Sequence, residues 1–147
     1  MSDNGHYAEA LVTTAFTVEK TLRRTLRQLI VSAGFRSIDA ESIVKGLGGL
    51  DRIKNTWEFY DPQNRKLTTV IGAEDWSTFK QTSIMRNKLV HGECVYGVGS
   101  CANQLSKTLE ALYRTRNCLE DVYGFSGWQK LKVRKKSRLH AHPLVKV

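Results

Sequence analysis

Arg86, Asn87 and His91 fall within the stretch RNKLVHG, residues 86 to 92. A guanidinium grips two phosphate oxygens as a bidentate fork, an imidazole exchanges protons near neutral pH, and a carboxamide orients either the ligand or the imidazole. Such a trio supports phosphoryl chemistry. RNA brings its own nucleophile, because its 2′-hydroxyl can attack the adjacent phosphorus without a metal ion, so a protein need only move protons and stabilise the developing charge. Lys88, inside the same stretch, is a candidate supporting cation. The plainer account is that Arg86 and Lys88 are solvated helix charges and that His91 interacts with the last carbonyls of a helix.

The trio needs a helix to hold it. Glu74 and Asp75 at the front, Trp76, Phe79, Met85 and Leu89 within, and Gly92 behind predict one from about residue 74 to 91. At about 100° per residue, Asn87 and His91 share a face, Arg86 lies a further step around, and Met85 and Leu89 form a neighbouring apolar stripe. The polar arc therefore borders a packing surface, where a cleft between helices or subunits can use it. Gly92 puts His91 at the carbonyl end of the helix, where positive charge is favoured, while neighbouring Arg86 and Lys88 pull the other way.

The other elements follow from periodicity and punctuation. Leu11, Val18, Leu22, Leu26, Leu29 and Ile30 recur at the spacing of a long amphipathic helix over about residues 7 to 33, ended by Gly34. A second helical region, about 38 to 60, should break at Gly46, Gly48 and Gly49, since each interior glycine costs roughly 1 kcal/mol relative to alanine. DPQNRKLTTVIG reads as a turn and then an extended piece, because Thr68, Thr69, Val70 and Ile71 are β-branched. A last helix runs from about Ser100 to Tyr123 after the glycine-rich GVGS. The expectation is an all-α antiparallel bundle of four or five helices over residues 1–124, followed by a basic extension over 125–147 in which Leu131 and Val133 alternate as in a short strand. Trp57, Phe59, Tyr60, Trp76 and Phe79 are expected in the core or an interface.

Charge narrows the partner class. The chain of 147 residues carries a net charge of +9, and a polyanion such as nucleic acid is a common reason for that excess. Beyond Asp121 there is no acid, while Lys130, Lys132, Arg134, Lys135, Lys136, Arg138 and Lys146 are basic, so the extension can account for seven of the nine charges. The first six of these are candidate RNA-binding residues; a solubilising tail is the alternative. His140 and His142 read as solvent-exposed. No apolar run approaches the roughly 18 residues needed to cross a bilayer, and the start MSDNGHYAEALV lacks the basic region of a signal peptide, so no membrane partner and a cytoplasmic location are expected. Cys94, Cys101 and Cys118, an odd count at irregular spacing, suit reduced thiols. A zinc reading of His91, Cys94 and Cys101 lacks a paired C-x-x-C knuckle, and no metal or cofactor is expected.

At Arg86 to His91 the sequence resembles the HEPN superfamily, whose mark is an arginine, usually a polar residue, three variable positions and a histidine on the penultimate core helix of a small all-α bundle. The resemblance extends loosely over about residues 7 to 123, and within VEKTLRRTL it makes Glu19 and Arg23 similar to the charged pair that many members carry on the first helix. It implies a metal-independent endoribonuclease in which two chains share one cleft between their motifs, with Arg86 and His91 catalytic, Asn87 supporting and Glu19 a further candidate. Many members are toxins or antiviral and abortive-infection effectors, some with an antitoxin or inhibitor protein; others are inactive and serve as binding or dimerisation modules. One toxin subgroup places a tyrosine two residues after the histidine, where this chain has Glu93, so that subgroup's nucleotidyltransferase antitoxin is not implied. Without the resemblance, an i,i+4 ion pair explains Glu19 and Arg23 adequately.

Deleting residues 129–147 should weaken RNA binding in a salt-dependent manner while leaving the helical bundle folded, because it removes seven basic residues. Each phosphate that the shortened chain no longer neutralises should flatten the slope of log affinity against log salt by about 0.7 for single strands. Filter binding across a salt series measures the slope, and an unchanged value would assign the tail another role.

Overall fold

The computed structural model describes residues 3–92 and 97–125. They form six helices: α1 (Asp3–Ser32), α2 (Ser37–Lys45), α3 (Leu50–Tyr60), α4 (Leu67–Ile71), α5 (Ala73–Val90) and α6 (Val98–Tyr123). The fold is all-α. It has one helix more than the upper expectation, because the extended piece foreseen after Asp61-Pro62 is the one-turn helix α4. Burial overrides the β-branched composition there: Leu67 and Ile71, four residues apart, are both buried, and no strand exists among the described residues for such a segment to pair with. The expected break at the glycines separates α2 from α3.

α1 is the element around which the others assemble. It packs against α2, α3, α5 and α6, and α4 closes the remaining space against α3, α5 and α6. Val18, Leu22, Leu26, Leu29 and Ile30 of α1 enter one large core with Ile53, Trp57, Leu67, Phe79, Leu112 and Leu119. A smaller cluster joins Leu11, Met85 and Cys101, with Leu89 and Leu105 against it. That cluster brings the beginnings of α1 and α6 to the end of α5, so α5 runs antiparallel to both. Each fully buried aliphatic side chain contributes roughly 1.5–3 kcal/mol, which makes these clusters the main source of stability.

Two polar devices fix how the helices sit. The Arg23 guanidinium donates to the carbonyl oxygens of Val44 (2.8 Å), in the last turn of α2, and of Leu47 (2.6 Å), just beyond it, which ties the end of α2 to α1. Between α5 and α6 the hydroxyls of Thr82 and Thr108 are 2.7 Å apart, and Gln104 Nε2 donates to Thr82 Oγ1 at 2.9 Å. Farther along the same pair, Arg114 forks onto Asp75 at 2.7 and 3.3 Å. Together these contacts set the register of α5, and hence where its last turn ends.

Asp61, 3% exposed, anchors the end opposite the small cluster. Its carboxylate accepts from Arg65 Nε (3.1 Å), the backbone N–H groups of Gln63 (2.8 Å) and Arg65 (3.0 Å), and Tyr123 Oη (2.5 Å), which itself accepts from Trp57 Nε1 at 2.9 Å. Phe125 stacks on Tyr123 and packs on the core, so packing carries one residue past the expected boundary at 124. The basic residues Lys130, Lys132, Arg134, Lys135, Lys136, Arg138 and Lys146, the strand foreseen around Leu131 and Val133, Glu93 and Cys94 lie outside the described residues.

The Asp61 network gives stability two pH limbs. Burial alone would raise the Asp61 carboxyl, but the hydrogen bonds from Arg65, Tyr123 and two backbone amides together outweigh it and hold it below its ordinary value. A depressed carboxyl stabilises the fold above its unfolded pKa, and that contribution is lost as pH falls through the folded value. Burial first, then the adjacent Asp61, pushes the Tyr123 phenol well above its ordinary value, so its contribution is complete below about pH 10 and is lost as pH rises through the folded value. Asp61→Asn should cost about 1.5–3 kcal/mol at pH 7 and flatten the acid limb, and Tyr123→Phe should flatten the alkaline limb. Urea unfolding from pH 3 to 11 measures both. Unchanged limbs would remove the network from this role.

Candidate active site

The sequence around Arg86 builds a helix that stops abruptly. Backbone bonding in α5 continues to His91, whose N–H donates to the Asn87 carbonyl at 3.0 Å, and Gly92 N–H reaches the Leu89 carbonyl at 3.3 Å. Gly92 then takes φ of +68°, the left-handed conformation in which a side chain is disfavoured. His91 is therefore the C-cap and is exposed, at the end of the helix as expected.

Met85 is buried in the small cluster and Leu89 is half-buried against it, which holds the last turns of α5 by one stripe. Arg86, one step around from Met85, is half-buried and points toward α1. Its guanidinium carbon lies 5.2 Å from the centre of the Phe16 ring, and its Nε donates to Asn87 Oδ1 at 3.2 Å. Among the described residues no carboxylate pairs with it. The positive charge of Arg86 is held by an aromatic face and an amide, which leaves it free to take an anion. Lys88 is exposed.

Arg86 and Asn87 are thus brought together, whereas Arg86 and His91 are not brought into contact. Five residues of helix separate the two by about 140° around the axis and about 7.5 Å along it. Glu19 goes elsewhere: its Oε2 is 3.4 Å from Arg23 Nε, and Arg23 is the residue that holds the end of α2. This pair positions helices, in keeping with the plain ion-pair account.

Phe16 is the residue that periodicity overlooked. It sits off the buried stripe of α1 and is 55% exposed. The available signal was a large aromatic on the polar arc of an otherwise well-partitioned amphipathic helix. Phe59, expected in a core or interface, is also exposed, near the turn where Phe35 meets Tyr60 edge-on at 5.8 Å.

The two described cysteines, Cys101 and Cys118, do not add chemistry to the site. Cys101 is buried beside Leu11 and Met85, and burial pushes its thiol up. Cys118 donates to the Val70 carbonyl at 2.9 Å and is raised by burial and then by nearby Asp121 and Asp75. Thiols held in this way are poor nucleophiles and poor metal ligands. A polar concavity of about 330 Å³ lined by Ile71, Gly72, Glu74, Asp75 and Arg114 lies at the other end of α5. Roughly 24 Å of helix separates it from His91. Among the described residues no helix is long and apolar enough to cross a membrane. Comparison with protein-family models, with curated proteins and with solved structures finds no match for this chain.

Proposed function

We propose that this chain is a metal-independent endoribonuclease of the HEPN type, acting as a toxin or as an antiviral or abortive-infection effector in the cytoplasm. The observation that carries the reading is the end of α5: an arginine with no carboxylate partner among the described residues, its amide neighbour, and an exposed histidine at a helix terminus, all on an all-α bundle. In this reading Arg86 binds the scissile phosphate. The 2′-hydroxyl attacks phosphorus as a base removes its proton, the bond to the 5′-oxygen breaks, and an acid protonates that oxygen. The products are a 2′,3′-cyclic phosphate and a free 5′-hydroxyl.

The two proton transfers ask for two groups, and each motif supplies one histidine. His6 is in the first turns of α1, where neighbouring Tyr7 packs against the small cluster with Leu89, and His140 and His142 lie outside the described residues. A two-fold homodimer that juxtaposes the ends of two α5 helices would supply the second His91 by symmetry. It would also relieve the geometric difficulty that Arg86 and His91 of one chain point in different directions. The net charge of +9 suits RNA as substrate and an acidic protein as inhibitor.

A second reading, a non-catalytic nucleic-acid-binding or dimerisation module, is favoured by that same lack of convergence within one chain. His91 substitution separates the two: it abolishes turnover in the first and leaves binding unchanged in both.

His91→Ala should lower RNA cleavage by roughly a hundredfold to ten-thousandfold, the range for lost acid or base assistance, with folding intact because the side chain is exposed. Arg86→Ala should act comparably and Arg86→Lys should recover only part, since an ammonium keeps the charge and loses the fork. Replacing the scissile 2′-hydroxyl by hydrogen should stop the reaction, and efficient cutting of that substrate would refute internal attack. Light scattering should find a dimer at micromolar concentration; a monomer with full activity would remove the shared cleft.

A further inference from the structure

The flank of α1 that carries Phe16 continues, at spacings of seven and eleven residues, to Arg23 and Arg27. At those two positions α2 covers it: Arg23 binds the Val44 and Leu47 carbonyls, and Arg27 donates to Ser37 Oγ at 2.7 Å. α2 ends at Lys45, so the cover stops before Phe16. On the other wall, Arg86 and Val90 stand one turn apart on α5, and Val90 is 58% exposed. The flank of α1 and the end of α5 thus form an open edge. It carries an aromatic ring, an aliphatic side chain and an arginine that already lies over the ring.

A singly exposed phenylalanine is ordinary on a protein surface. Here the pairing with Arg86 makes the difference. The cation lies over the Phe16 face at 5.2 Å, which fixes the guanidinium within the span of one nucleotide of a ring that is more than half exposed. Single-stranded nucleic acids are held by this pair of features, a cation for the backbone and an aromatic face for the base, in a way that tolerates any base. Arg86 can turn from the ring to a phosphate without breaking an ion pair, since none restrains it among the described residues.

We propose that Phe16 is a nucleobase-stacking residue, taking the base of a nucleotide in single-stranded RNA whose phosphate is held by Arg86. The assignment rests on the reading of the Arg86 edge as an RNA site, but it does not require cleavage. Phe16 is a binding and positioning residue, and it sets a preference for unpaired over duplex RNA, because a paired base cannot leave its stack to meet the ring.

The test uses the full-length protein and a single-stranded 2′-O-methyl heptanucleotide with 2-aminopurine at its centre, which internal attack cannot cleave. Binding to the wild type should change the 2-aminopurine emission. Phe16→Ala should weaken affinity roughly fivefold to a hundredfold, Phe16→Trp should restore it, and Phe16→Leu, equally apolar, should not. The salt slope should stay constant across the three, because the same cations neutralise the phosphates in each. An abasic site at the probed position should weaken binding to the wild type and leave the Phe16→Ala variant unaffected. Equal rescue by leucine and tryptophan, or equal loss from the abasic site in both proteins, would overturn the stacking role. If the wild type cleaves RNA while Phe16→Ala matches it in KM and affinity, stacking fails and the nuclease reading stands. If the probe shows aromatic-dependent binding but RNA is never cleaved, the nuclease reading fails and stacking stands. No binding of the probe by the wild type would overturn stacking.

Discussion

A 30-residue helix cannot bury its apolar stripe alone, and the covering of α1 by its neighbours is the constraint on which the rest of this structure depends. α2 and α3 cover one part, and α5 and α6 run along its length. Where α2 lies against it, the flank holds Arg23 and Arg27 in structural bonds to α2. Where it stops, the same flank presents Phe16, and the end of α5 that faces it presents Arg86. The candidate site is thus the place where packing runs out. Its parts are positioned by the rigid core just beneath: Met85 is locked in the small cluster one residue before Arg86.

This arrangement explains how a strongly basic chain keeps a stable helical body. Of the nine net charges, seven fall beyond Asp121, so residues 1–125 carry little excess. Within the body, arginines are largely engaged in architecture: Arg65 on Asp61, Arg114 on Asp75, Arg23 on Glu19 and two carbonyls. Arg86 differs in having an aromatic ring and an amide for company. A guanidinium in that setting can exchange its weak contacts for an anion, whereas breaking a buried carboxylate pair costs several kcal/mol.

Most of the helices were legible because their signals are local. Spacings of three and four marked α1, α5 and α6, and Gly46, Gly48 and Gly49 marked the break between α2 and α3. α4 was not legible, since Thr68, Thr69 and Val70 argue for a strand and only the burial of Leu67 and Ile71 makes the segment helical. At the site, the motif and its place at the helix end could be read from RNKLVHG. The contact of Arg86 with Phe16 could not, for it depends on how two helices 70 residues apart are set against each other. Glu19 and Arg23 illustrate the converse: their i,i+4 ion pair was legible in the sequence, whereas the grip of Arg23 on the Val44 and Leu47 carbonyls was not, since it depends on how α2 is set against α1.

The most direct measurement of the central claim is the fate of mixed RNA incubated with the purified protein in excess EDTA, with the 3′ ends of the fragments identified. The account predicts cleavage that persists in EDTA and leaves 2′,3′-cyclic phosphates, since Arg86 supplies the positive charge and the RNA supplies the nucleophile. Cleavage that EDTA abolishes, or fragments ending in 3′-hydroxyl groups, would contradict it.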